Sequence, residues 1–151
     1  MPIYTSSWFR PLPPRFVRVG ISRGVPRGTK KGYYRIRALE PGSWFKSVTP
    51  QKYLDLYGEI LAKLDPDDIV KALLHCGQNP VMVCYESPAD VNSGAKWCHR
   101  HLAAKWLEDT TGIKVEEVDF PELRRFGFLH TYGIADPTYQ RIPKEQPALS
   151  L

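Results

Sequence analysis

The run Pro80-Val-Met-Val-Cys-Tyr-Glu86 constrains the fold more than any other segment of the chain. It is close to continuously apolar, without the alternation of a strand that has one wet face, so it predicts a central strand buried on both sides. Such strands belong to parallel sheets covered on their faces. The neighbouring segments supply the rest of that architecture. Thr49-Pro50 and Asp65-Pro66 each pair an N-cap residue with proline at the first helical position. Tyr53, Leu54, Tyr57, Ile60, Leu61 and Leu64 then follow a helical period, as do Ile69, Leu73 and Leu74 up to a stop at Gly77. Asp67 and Asp68 fall in a first turn, where the helix dipole favours anions. A third helix is predicted over Ala95–Thr111, closed by Gly112.

Strands are predicted at Arg15–Ser22, at Tyr34–Arg37 and at Ile113–Val118. The expected fold is therefore α/β, a small three-layer sandwich with a mostly parallel sheet, in one domain of 151 residues. The Pro-rich, aromatic segment 1–14 reads as an irregular arm, and 119–151 as an aromatic, Pro-containing tail. No apolar run approaches the roughly 18 residues needed to span a bilayer. The first residues lack the charged and apolar regions of a signal peptide, and three cysteines are too few for a disulfide scaffold. These features predict a cytoplasmic protein without a membrane partner.

Charge is unevenly distributed. Nine of the 21 basic residues and none of the 16 acidic ones lie in Met1–Leu39, leaving a mildly acidic remainder. A basic, acid-free first quarter points to an anionic partner, nucleic acid first and DNA above RNA. Within it Arg23, Arg27, Lys30 and Lys31 are interleaved with Gly24, Gly28 and Gly32, and Arg35 follows. Glycine lets backbone approach phosphates closely, and the cations neutralise them. No P-loop pattern is present. Tyr33, Tyr34 and Trp44 come next and offer stacking faces for exposed bases, core packing being the competing role.

The strand-to-helix turn after residue 80 concentrates the chemistry. Glu86 ends the apolar run, where a carboxylate can activate water or stabilise a sugar cation, and Asp90 in the following loop could pair with it. Cys98, His99, Arg100 and His101 open the next helix, where free backbone N–H groups favour anions. His99 and Arg100 are the expected exposed donors. Cys98 is four residues from Leu102 and eight from Trp106, a spacing that assigns it to packing. Cys84, Cys98, His99 and His101 are all metal-ligand types, but their spacing matches no paired zinc pattern. No metal or other cofactor is expected, and zinc would require ligands to converge across strand and helix. A cysteine nucleophile lacks the Cys-x5-Arg loop that would support it.

The segments Ile21-Ser-Arg, Leu39-Glu-Pro, Val81-Met-Val-Cys-Tyr-Glu-Ser-Pro and Cys98-His-Arg-His-Leu-Ala-Ala-Lys-Trp-Leu-Glu resemble the domain-of-unknown-function 488 family. The resemblance runs from about Arg15 to Val118 and implies a small α/β sandwich. It also implies that Cys84, Glu86, Cys98, His99 and Arg100 share one site, without implying a reaction.

From the residues, the expected function is a DNA-acting, glycosylase-like hydrolase that excises a modified or unusual base. Glu86 or Asp90 would position water, and His99 with Arg100 would hold phosphate or the leaving base. The basic loop would grip the backbone while Tyr33, Tyr34 or Trp44 stacks on a flipped base. Repair of host DNA and antiviral defence place the same demands on such a site. The alternatives are a non-catalytic nucleic-acid or nucleotide-binding module and, third, a thiol or zinc site protein.

Overall fold

The computed structural model describes residues 2–85 and 98–126. Five strands form one all-parallel sheet: β1 Ile3–Ser7, β2 Val17–Gly20, β3 Tyr34–Arg35, β4 Pro80–Cys84 and β5 Val115–Glu117. Their spatial order is β3-β2-β4-β1-β5. Three α-helices accompany them: α1 Pro50–Ala62, α2 Pro66–Cys76 and α3 His99–Thr111. The α/β class and parallel sheet follow the sequence expectation. Among the described residues no helix is long and apolar enough to cross a membrane.

β4 lies between β2 and β1, which explains its unbroken apolar character. Val81 and Val83 face one cluster, with Trp8, Leu12, Phe16 and Tyr33. Met82 faces the other, with Tyr57, Leu61, Ile69, Leu73, Ala103 and Leu107. Among the described residues all three helices thus pack on one face, and irregular chain covers the opposite one. Among the described residues the second outer layer of the sandwich is loop.

The helix starts follow the sequence. Thr49 caps α1 by accepting from the Lys52 amide, Asp65 caps α2 by accepting from the Asp67 amide, and both helices carry proline in their first turn. Gly112 ends α3 with φ +75°, the left-handed conformation glycine adopts without strain. α3 itself begins at His99 with Cys98 as its N-cap, not at Ala95. The predicted strands shorten to β2, β3 and β5 within their expected spans.

The irregular N-terminal stretch is shorter than expected. Ile3–Ser7 is a strand, hydrogen-bonded in parallel to β4 on one side and β5 on the other. Trp8–Phe16 then crosses the loop-covered face to reach β2, with Trp8 fully buried. Of the predicted tail, residues 119–126 are described and end in a 3₁₀ turn at Pro121–Phe126. Residues 127–151 lie outside the described residues.

Topology creates a crevice at one end of the sheet. The chain between β1 and β2 and residues Val25 and Tyr33 after β2 lie on the loop face, whereas α3, the next described element after β4, packs on the helical face. The carboxyl ends of adjacent strands lying between two such layers are where ligands bind in open α/β sheets.

Candidate functional site

A cavity of about 480 Å³ opens at the carboxyl ends of β2 and β4. Its floor is made by Ser22, Cys84, Cys98 and His99, and its walls include Arg23, Phe45, Lys46, Tyr53 and Tyr85. This size falls in the usual range for small-molecule sites.

His99 is buried at 5% exposure, and its ring stands edge-on to Tyr57 with centroids 5.3 Å apart. Its Nε2 lies 2.6 Å from the Ile21 carbonyl oxygen. A carbonyl only accepts, so Nε2 carries the proton and donates. Burial, reinforced by the Arg100 charge and partly offset by the Ile21 hydrogen bond, pulls the His99 pKa down to about 4. The ring is therefore neutral at pH 7, with Nδ1 bare and 3.6 Å from Cys98 Sγ. Cys84 and Cys98 meet with their sulfurs in bonding contact and their Cα atoms 7.3 Å apart.

Arg100, expected as an exposed anion donor, is fully buried. Its Nε and Nη2 donate to the two carboxylate oxygens of Glu117 at 3.1 and 2.7 Å, and its Nη1 donates to Cys84 Sγ at 2.9 Å. The register of α3 explains this. Arg100, Ala103, Ala104 and Leu107 share one helical stripe and are all buried, whereas Leu102 and Trp106 flank it half-buried. His101 points away from the cavity, its Nε2 donating to Glu117 Oε1 at 3.0 Å. Thr5 Oγ1 donates to the same carboxylate at 2.5 Å. Burial alone would raise the Glu117 pKa. Hydrogen bonds from His101, Arg100 and Thr5, with the Arg100 charge, outweigh it and hold the carboxyl at about 2.

The remaining predicted site residues separate into distinct groups. Glu86 and Asp90 lie outside the described residues. Arg23 stands at the cavity rim, exposed, with Nη1 donating to the Pro41 carbonyl at 3.3 Å. Arg27, Lys30 and Lys31 are exposed in the loop after β2. Arg35 is paired with Glu40 at 2.9 Å. Tyr33 is buried edge-on against Trp8, Tyr34 is half-buried beside the helical core, and Trp44 is half-buried edge-on to Tyr53. The aromatic rings exposed near the cavity are Phe9 and Tyr85, at 42% and 43% exposure. They stand edge to face with centroids 5.8 Å apart, just past the carboxyl ends of β1 and β4. Sequence reasoning missed both, although each directly follows a strand end or its first loop residue.

Glu117 was also missed. Alternation from buried Val115 places it on the same face of β5, under α3, where a carboxylate requires a cation. Comparison with family models, curated proteins and solved structures gives no match.

Proposed function

We propose that this protein binds DNA across the cavity mouth, accepts an extruded base and hydrolyses its N-glycosidic bond. The observation carrying this reading is a cavity of nucleoside-compatible size with exposed Tyr85 and Phe9 beside it and Arg23 and Lys46 on its walls. Aromatic faces stack on unpaired bases, and neighbouring cations hold the phosphates. Arg27, Lys30 and Lys31 extend the positive surface along the adjoining loop. Glu86, the residue after Tyr85, takes the water-activating role, with Asp90 as its partner. Membership of the domain-of-unknown-function 488 family is part of the same proposal, resting on the Cys-Tyr-Glu and Cys-His-Arg-His blocks.

A second reading, a binding module without turnover, is favoured by the burial of His99 and Arg100, which removes two expected donors from the surface. The two readings separate in one assay. DNA carrying modified bases is incubated with the protein and then treated with alkali, which cleaves at abasic sites. Wild-type protein is expected to generate alkali-labile sites and Glu86→Gln to lose them while still binding. Salt-sensitive binding with no alkali-labile product would leave the binding module standing and refute hydrolysis.

A further inference from the structure

We propose that Cys84, Cys98 and His99 form a binding site for a single zinc-class divalent ion, held by two thiolates and one imidazole. The inference is independent of the nucleic-acid reading. The three candidate ligand atoms lie within 4.8 Å of one another, and all three residues are buried. They come from two elements, the end of β4 and the start of α3, which is the convergence that linear spacing alone did not display.

His99 is oriented as a ligand. Its Nε2–H is committed to the Ile21 carbonyl, which fixes the tautomer and turns bare Nδ1 toward the sulfurs. Metal-bound histidines are commonly held in this way by a backbone carbonyl on the far nitrogen. Cys84 Sγ also accepts from Arg100 Nη1 at 2.9 Å, a hydrogen bond that a metal-bound sulfur can keep. The Cα separation of 7.3 Å exceeds the ordinary span of a disulfide. An ion between the sulfurs relaxes that constraint, because tetrahedral coordination holds two thiolates roughly 3.8 Å apart. Charge balances as well: two thiolates offset a divalent cation, while Arg100 is offset by Glu117. Binding releases the two thiol protons to solvent.

Among the described residues three ligands converge, and they floor the cavity. Structural zinc sites are closed by four protein ligands, whereas sites that act on substrate keep one position for water or ligand. An ion held there lies at the cavity floor, within reach of whatever occupies the cavity.

The test uses full-length protein, reduced, freed of metal and titrated with zinc and with cobalt(II). One equivalent of zinc is expected per chain. Cobalt should give the visible bands of a tetrahedral site together with thiolate charge-transfer absorption. Cys84→Ser, Cys98→Ser and His99→Asn should each weaken zinc binding by about 100-fold or more, beyond the usual effect of losing a residue that only supports a ligand. Cys76→Ala should bind normally, because Cys76 lies in α2 with its thiol on the Ala72 carbonyl. Where a variant does not fold, the wild-type cobalt spectrum and the protection of two thiols by zinc decide the matter. Folded, reduced wild type that takes up no ion, or cobalt bound without thiolate absorption, would overturn the proposal. So would a Cys84–Cys98 bond that persists in reductant.

Discussion

Glu117→Gln is expected to destabilise the fold by about 3–5 kcal/mol, the usual cost of removing one partner from a buried ion pair. Glutamine keeps the shape and some accepting capacity of the side chain, so the change isolates the charge. The Arg100 side chain has no exposed surface and cannot turn to water when its counter-charge is gone. For a domain of ordinary stability, about 5–15 kcal/mol, that is a large fraction of the total. Urea denaturation should show it directly, while Glu116→Gln, exposed on the neighbouring position of β5, stays within about 0.5 kcal/mol. Adding Arg100→Met to Glu117→Gln should recover part of the loss, because the orphaned charge leaves with its partner.

The same pair sets an acid limit. The Glu117 pKa falls from its ordinary 4.5 to about 2 on folding. A carboxyl with a depressed folded pKa contributes its stability in full above the unfolded value and loses it as pH falls through the folded one. Wild-type stability should therefore decline between about pH 4.5 and 2 through this group, and that component should be missing in Glu117→Gln. Among the described residues His101 and Arg100 are the charged or titratable groups that hydrogen-bond the carboxylate, together with the Thr5 hydroxyl.

Trp8→Ala is expected to cost a similar amount, about 3–5 kcal/mol, by emptying the centre of the loop-covered face. Trp8 is fully buried, packs edge-on against Tyr33 at 5.3 Å and donates from Nε1 to Ser22 Oγ at 2.9 Å. Gly20 is shaped around it, since a Cβ there would collide with the indole. The truncation leaves a cavity and strips Ser22 of its donor. Phe9→Ala, one residue along but exposed, should cost about 1 kcal/mol or less. A fall in the denaturation midpoint with an unchanged slope would show that the loss is one of stability.

The contrast between β4 and β1 shows what the sequence made legible. β4 is apolar at every position because both its faces are covered, and it stands out at first reading. β1 is also an interior strand, but Thr5, Ser6 and Ser7 break any hydrophobic pattern. Those residues are buried because each hydroxyl has a partner: the Glu117 carboxylate, the Val118 carbonyl and the Tyr85 carbonyl. A strand buried through hydrogen bonds carries no periodic signal. The caps at Thr49, Asp65 and Gly112 were legible because capping is local chemistry.

The site divides along the same line. The turn after β4 was recognisable as a concentration of reactive residue types. Which of them face the cavity depends on the register of α3, and the sequence offers two stripes, Arg100, Ala103, Ala104 and Leu107 or Cys98, Leu102 and Trp106. The second stripe predicts an exposed Arg100, and the structure buries it. The approach of Cys84 to Cys98 and His99 depends on tertiary placement of a strand end against a helix start. Tyr85 and Phe9 were hidden for a related reason: an aromatic beside a strand reads as core until the topology shows that it lies at the open end of the sheet.

The proposed nucleic-acid surface is the cavity mouth at β2 and β4. Its most direct test is the affinity of wild type, Tyr85→Ala and Arg23→Glu for a short single-stranded oligonucleotide, measured over a series of salt concentrations. Wild-type binding should weaken steeply with salt, and Arg23→Glu should reduce both affinity and the salt slope. Tyr85→Ala should lose about 1–3 kcal/mol, the contribution of one stacked base, with the salt slope unchanged. Equal affinity in all three proteins, or binding indifferent to salt, would contradict the account.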